Sequence, residues 1–286
     1  MAVTSEELGN KDIKSLLIKQ AVPASIGILF MSVNILVDTI FVGQWIGSLA
    51  IAAVTVVLPM TFFISSLGMA VGIGGSSVLS RALGSGNKEK AEITFANQIL
   101  MTFVLASVFV LLGIFFSDDM LLLFGAQGEI VKPAREFFFP IIISVPFLAL
   151  SMMGNTVIRA EGKAKFAMIA MIIPAFVNIL LDILFIKFWN MGMFGAALAT
   201  AISYFMCFLF ILWFFIYKSE LRLKWHHMKF HFPIVKEITS LSFVTFSRQG
   251  VVSILAIILN HTLYTYGGEP SVVIYGIISR MLMFAL

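Results

Sequence analysis

Charge is what this sequence has least of. Asp, Glu, Lys and Arg make up only 12% of its 286 residues, against 60% that are hydrophobic, and the mean hydropathy is +1.02. A soluble domain carries about 25% charged residues, so the composition excludes an ordinary water-soluble globule. Cysteine is nearly absent too. The single Cys207 lies inside an apolar run, which excludes a disulfide framework and a cysteine-based zinc pattern. Residues 1–12 are polar and mixed in charge, without the basic start and small-residue cleavage site of a signal peptide, so the chain is expected to begin in water. The net charge of +4 and pI near 9.2 do not call for a nucleic-acid partner, because the basic residues fall in loops between apolar runs, where membrane topology accounts for them.

Apolar runs long enough to cross a bilayer are what the sequence has in abundance, and they read as an all-α integral membrane protein, a polytopic helical bundle. Spans are expected over residues 13–42, 49–79, 93–116, 133–158 and 166–188, with a sixth from the glycine turn at 190–192 to about 217. The polar segment 218–233 reads as a cytoplasmic linker, 234–264 as a seventh span, and 272–286 as an eighth. That eighth run rises only about 22 Å, short of the roughly 30 Å hydrocarbon core, so the chain is expected to be truncated or a fragment. The division expected is therefore a six-helix lobe over 1–217, the linker, and the start of a second lobe over 234–286. A faint repeat agrees with it: a shift of 221 residues places Ile13 on Ile234 and Gly47 on Gly268.

Basic residues set the direction. Lys11, Lys14, Lys19, Arg81, Lys88, Lys90, Arg159, Lys163, Lys165, Lys218, Arg222, Lys224, Lys229 and Lys236 fall on one side of the expected spans, and only Lys132, Arg135 and Lys187 on the other. This asymmetry puts the N-terminus in the cytoplasm of a multi-pass cell-membrane protein.

One motif occurs twice. Residues 34–41 read Asn-Ile-Leu-Val-Asp-Thr-Ile-Phe and residues 178–185 read Asn-Ile-Leu-Leu-Asp-Ile-Leu-Phe, each with an Asn and an Asp on one helix face inside an apolar run. A carboxylate in hydrocarbon costs about 2.5–3.5 kcal/mol on insertion scales, which makes Asp38 and Asp182 functional candidates. At 1.5 Å per residue both lie about 9 Å from the outer ends of their spans, Thr200 lies about 12 Å in, and Asn34 and Asn178 sit one turn deeper. Asp38, Asp182 and Thr200 are thus expected in one layer if their helices are neighbours. Carboxylate, amide and hydroxyl oxygens suit a hard monovalent cation; alternatively, burial beside a second carboxylate would make one Asp a proton carrier. Pro23 and Pro174 supply hinges, freeing the carbonyls of Lys19 and Ala170. The glycines at 68, 72, 74 and 75 would let helices approach closely or bend.

The plainer readings are these. Asp38 and Asp182 would be buried carboxylates serving packing or register, and the prolines ordinary kinks. Arg248 and Arg280 would snorkel or form an interhelical pair rather than touch substrate, and His226, His227 and His231 would belong to a solvated linker rather than a metal site. An aspartyl intramembrane protease would show a Gly-rich motif at an Asp, and Asp182 sits in Ile-Leu-Leu-Asp-Ile-Leu. A serine protease at Gly74-Gly75-Ser76 would need a histidine in the first six spans, and there is none.

Taken together, Pro23 followed by 34–41, the segment Arg81-Ala-Leu-Gly-Ser-Gly-Asn-Lys-Glu-Lys-Ala91, the turn at 159–162, the Asn178/Asp182 pair and Gly195-Ala-Ala-Leu-Ala-Thr200 resemble the multidrug and toxic compound extrusion (MATE) family, and are most similar to its prokaryotic DinF-like members. The resemblance implies a twelve-helix antiporter of two six-helix lobes, not an enzyme, that exports amphiphilic cations against H+ or Na+ and uses no cofactor beyond that coupling ion. It implies that Asp38, Asn178, Asp182 and Thr200 hold the coupling cation, as metal ligands only if that ion is Na+. Asn34 would support them, and Pro23 would mark a bend in the first helix. The missing second-lobe helices, or another chain, would complete the passage. Alternatives are a lipid-linked saccharide flippase of related architecture and a transport-inactive fragment.

Overall fold

The structure is a computed structural model describing residues 13–224 and 227–285. The helices are α1 (Ile13–Trp45), α2 (Ser48–Gly84), α3 (Lys88–Phe115), the short α4 (Ser117–Leu123), α5 (Val131–Ala160), α6 (Ala164–Asp182), α7 (Gly192–Tyr217) and α8 (Phe232–Ala285). A 3₁₀ turn, Gly128–Ile130, leads into α5, and α6 continues as a π segment, Ile183–Phe188. Seven stretches are long and apolar enough to cross a membrane, the last of them holding both arms of α8, which breaks at Gly268 (φ 65°). Helices dominate because backbone groups in hydrocarbon find no water and must bond within their own segment. Over the described residues the expected spans lie in helix, and the two glycines that the repeat superposes both turn the chain with positive φ, Gly47 at 131° and Gly268 at 65°.

Polar signals set the helix ends. Asn87 caps α3 by accepting from the Lys90 N–H at 2.9 Å, which closes the polar stretch between α2 and α3. The basic loops and the starts of α3, α6 and α8 lie at one end of the bundle. The turns at Trp45–Ser48 and 188–192 lie at the other, where Lys187 Nζ sits 5.5 Å from the centre of the Trp45 ring.

Helix α2 is the spine. It packs along α5, along both arms of α8 and along α3, and its small residues allow this. A Cβ on Gly68 would strike the Ala149 backbone of α5, and one on Gly74 would strike Ile238 O and Ser242 of α8. Close approach then permits a polar tie, with Ser242 Oγ donating to Ala70 O at 2.8 Å.

Segment 218–233, expected as a linker, is exposed over most of its described residues but is tied to the first helices at several points. Lys163 Nζ donates to Lys218 O at 2.6 Å, the Ser219 hydroxyl donates to Glu161, and Leu221 is buried among Leu79, Phe95 and Val157. Lys224 Nζ pairs with the buried Glu92 at 2.8 Å, the buried His227 has Nδ1 3.8 Å from the same carboxylate, and His231 N donates to Asn97 Oδ1 at 2.9 Å. His226 lies outside the described residues. The reason is electrostatic: Glu92 and Glu161 are buried acids at helix ends and need donors, which the segment carries.

Candidate functional site

Helices α1, α6 and α7 bring the twin motif together. Gly27 lets α1 approach α6 closely enough that a Cβ there would meet Met171. Asn34 Nδ2 donates to Asn178 Oδ1 at 2.8 Å and to Ala175 O at 3.3 Å; Asn178 Nδ2 donates to Thr200 Oγ1 at 3.4 Å; and the Thr200 hydroxyl donates to Ala196 O at 3.1 Å. A polar relay thus crosses three helices.

The two acids lie one turn along from this relay. Asp182 is fully buried and Asp38 half-buried, and their carboxyl groups are neighbours that act on each other electrostatically. As two carboxylates they offer each other no donor, and both oxygens of Asp182 are buried without a hydrogen-bond donor among the described residues. Asp38 lies within electrostatic reach of two further groups, the Tyr204 phenol of α7 and the Arg280 guanidinium of α8. Arg280 is buried on the second arm of α8, while Arg248 is exposed on the first.

Thr200 bonds to Asn178, one turn from Asp182. The turn directly after Asp182 is π rather than α. Nothing in the sequence signals that change of pitch. Pro174 behaves as its chemistry requires: the Ala170 carbonyl it frees accepts from Cys207 Sγ at 3.1 Å. Helix α1 runs unbroken through the buried Pro23. Sequence reasoning missed Tyr204 as a site neighbour. Tyr204 was within reach, since it follows Thr200 by four residues on the same helix face.

Fold and site together define a polytopic helical membrane protein with an ionisable pair buried between its helices. The MatE family model matches residues 23–184, more than half of the chain, and the chain belongs to that family. Among curated relatives it is 28% identical over 265 residues to the multidrug export protein MepA of Staphylococcus saprophyticus, covering 92% of this chain and 58% of that one. It is 32% identical over 192 residues to an FAD transporter of Shewanella oneidensis, covering 66% and 42% respectively. Among solved structures, the MATE multidrug transporter DinF-BH superposes with a TM-score of 0.92 at 35% identity, over 98% of this chain and 63% of that one. The chain thus spans between 42% and 63% of the length of these three relatives.

Proposed function

We propose that this chain carries the cation-coupling lobe of a secondary transporter that exports amphiphilic or cationic small molecules across the cell membrane in exchange for H+ or Na+. The observation that carries the reading is the Asp38–Asp182 pair, with both oxygens of Asp182 buried and lacking a donor among the described residues. Two facing carboxylates in a low-dielectric interior repel unless a cation or a shared proton lies between them, so occupancy by a transported cation changes the energy of the helices that hold them. In this reading Asp38 and Asp182 bind the ion, while Asn178, Asn34 and Thr200 hold α1, α6 and α7 in register around it. Pro23 and Pro174 are the places where α1 and α6 can flex, because each removes one backbone hydrogen bond. A ligand shifts a conformational equilibrium only by its difference in affinity between states, and the facing acids provide such a difference if their separation changes. Relatives named for multidrug export and for FAD support a transporter and point to different cargoes. Residues 1–217 form the first lobe and 234–286 begin the second, with the N-terminus in the cytoplasm. Further helices or another chain complete the passage.

The test is efflux of a fluorescent amphiphilic cation from vesicles under imposed proton or sodium gradients, using the chain extended through a complete second lobe and, in parallel, the chain alone. Asp38→Asn and Asp182→Asn are each expected to abolish the gradient-driven component. Gradient-driven efflux that survives both substitutions contradicts the assignment.

A further inference from the structure

At the end of the bundle opposite the basic loops, the 3₁₀ turn and the first turns of α5 border an open cavity of about 570 Å³. That is within the range of ligand sites, about 300–1,000 Å³. Gly128, Glu129, Lys132, Arg135, Glu136 and Phe139 line it. Its floor is fixed to α8: the Glu129 N–H donates to Glu269 Oε1 at 3.1 Å, and a Cβ on Gly128 (φ 57°) would strike the Tyr264 hydroxyl. Lys132, Glu136 and Phe139 fall on one face of α5, so the charged rim runs directly into an aromatic ring that is 53% exposed.

Four of the lining side chains are charged, and they do not neutralise one another. Arg135 Nη2 pairs with Asp118 at 2.6 Å, beside the cavity. Lys132 and the carboxylates of Glu129 and Glu136 make no ion pair among the described residues, although Lys132 stands three and four residues from the two acids, the spacing at which helical pairs meet. With Arg135 set against Asp118, one positive and two negative side chains remain around the cavity. Depth adds a second constraint. Phe139 lies about 10 Å along α5 from Lys132 at 1.5 Å per residue, and the polar region of one leaflet is about 5–8 Å deep. With Lys132 at the level of the phosphates, Phe139 therefore reaches the acyl chains.

We propose that this cavity binds one phospholipid whose zwitterionic headgroup carries a primary amine, of the phosphatidylethanolamine type. The phosphate sits on Lys132, the ammonium between the Glu129 and Glu136 carboxylates, and an acyl chain along Phe139. The excess of acid selects the headgroup. An anionic headgroup brings no cation for the two carboxylates, and a quaternary ammonium has no N–H to donate to them. The lipid lies against Gly128 and Glu129, where the first helices meet α8 beside its break at Gly268.

The experiment is native mass spectrometry of the delipidated chain, titrated with phosphatidylethanolamine, phosphatidylglycerol or phosphatidylcholine of identical acyl chains and scored on the first lipid bound. Phosphatidylethanolamine is expected to bind about fivefold more tightly than the other two, the scale of one partly exposed charge pair. Lys132→Gln is expected to weaken phosphatidylethanolamine and phosphatidylglycerol alike, by about the same factor. E129Q/E136Q is expected to abolish the preference between those two lipids while the first lipid still binds, and Phe139→Ser to weaken all three without changing their order. All four substituted side chains are exposed, so the variants keep the packing of the helices. Soluble phosphoethanolamine at the lipid's concentration is expected not to compete. Equal affinities for the three lipids in the unsubstituted chain, or a preference that survives E129Q/E136Q, overturns the proposal. Displacement of the lipid by soluble phosphoethanolamine assigns the cavity to a small zwitterion and overturns it too.

Discussion

A carbonyl freed by a proline inside hydrocarbon has to find a donor, and the Ala170 carbonyl finds the Cys207 thiol of the neighbouring helix. The sequence showed that Pro174 would leave this acceptor open, because proline has no N–H to give it. Which residue would fill it was not legible, since that depends on how α7 lies against α6. Cys207→Ser keeps a donor and is expected to leave thermal stability in detergent nearly unchanged. Cys207→Val strands the carbonyl and is expected to cost about 1–3 kcal/mol, read as a lowered unfolding midpoint. Equal loss in both variants would show that the thiol is packing rather than bonding. The same division holds at the acids. An Asn and an Asp four apart in two apolar runs were visible in the letters, whereas Arg280 and Tyr204 as their neighbours required the helices to be placed.

At the scale of elements, span positions followed from apolar length and from capping residues such as Asn87, and the glycines of α2 were legible as close-approach points. Segment 218–233 was not, because lysines and histidines in a polar run look solvated until their partners are known. Those partners, Glu92 and Glu161, are far away in sequence. The docking gives a pH dependence with a definite sign. Burial holds the Glu161 carboxyl above its ordinary value of 4.5, with the Ser219 hydroxyl and Lys163 offsetting only part of that. The folded form therefore binds a proton more readily than the unfolded form. The stability this group contributes is fully present below pH 4.5 and is lost as pH rises through the raised folded value. Hydrogen exchange across 218–224, corrected for intrinsic rates, is expected to speed up over that rise, and Glu161→Gln is expected to flatten the dependence. An unchanged profile in the variant would assign the trend to another group.

Over the whole molecule, α2 ties the first helices to both arms of α8, through Ser242 on Ala70 O near the basic end and Gly276 on Thr55 towards the other. Arg81 and Lys90 hold Glu237 at 2.9 and 3.4 Å across the same boundary, and such partly exposed pairs contribute only about 0.2–1 kcal/mol each. Apolar packing along the glycines therefore dominates the contact. Helix number and order were readable because hydropathy reports directly on membrane crossing. Adjacency was not, because one apolar helix face resembles another until small residues and polar ties select its neighbour. The pairing of α1 with α6 is what turns two distant motifs into one site.

The most direct check of that pairing is carbodiimide modification of the chain in lipid vesicles, with each molecule's adducts located by mass spectrometry. If Asp38 and Asp182 form one site, the two acids react in alternation, so that chains carry an adduct on one or the other. Chains modified on both, as often as independent reaction would give, would contradict the account.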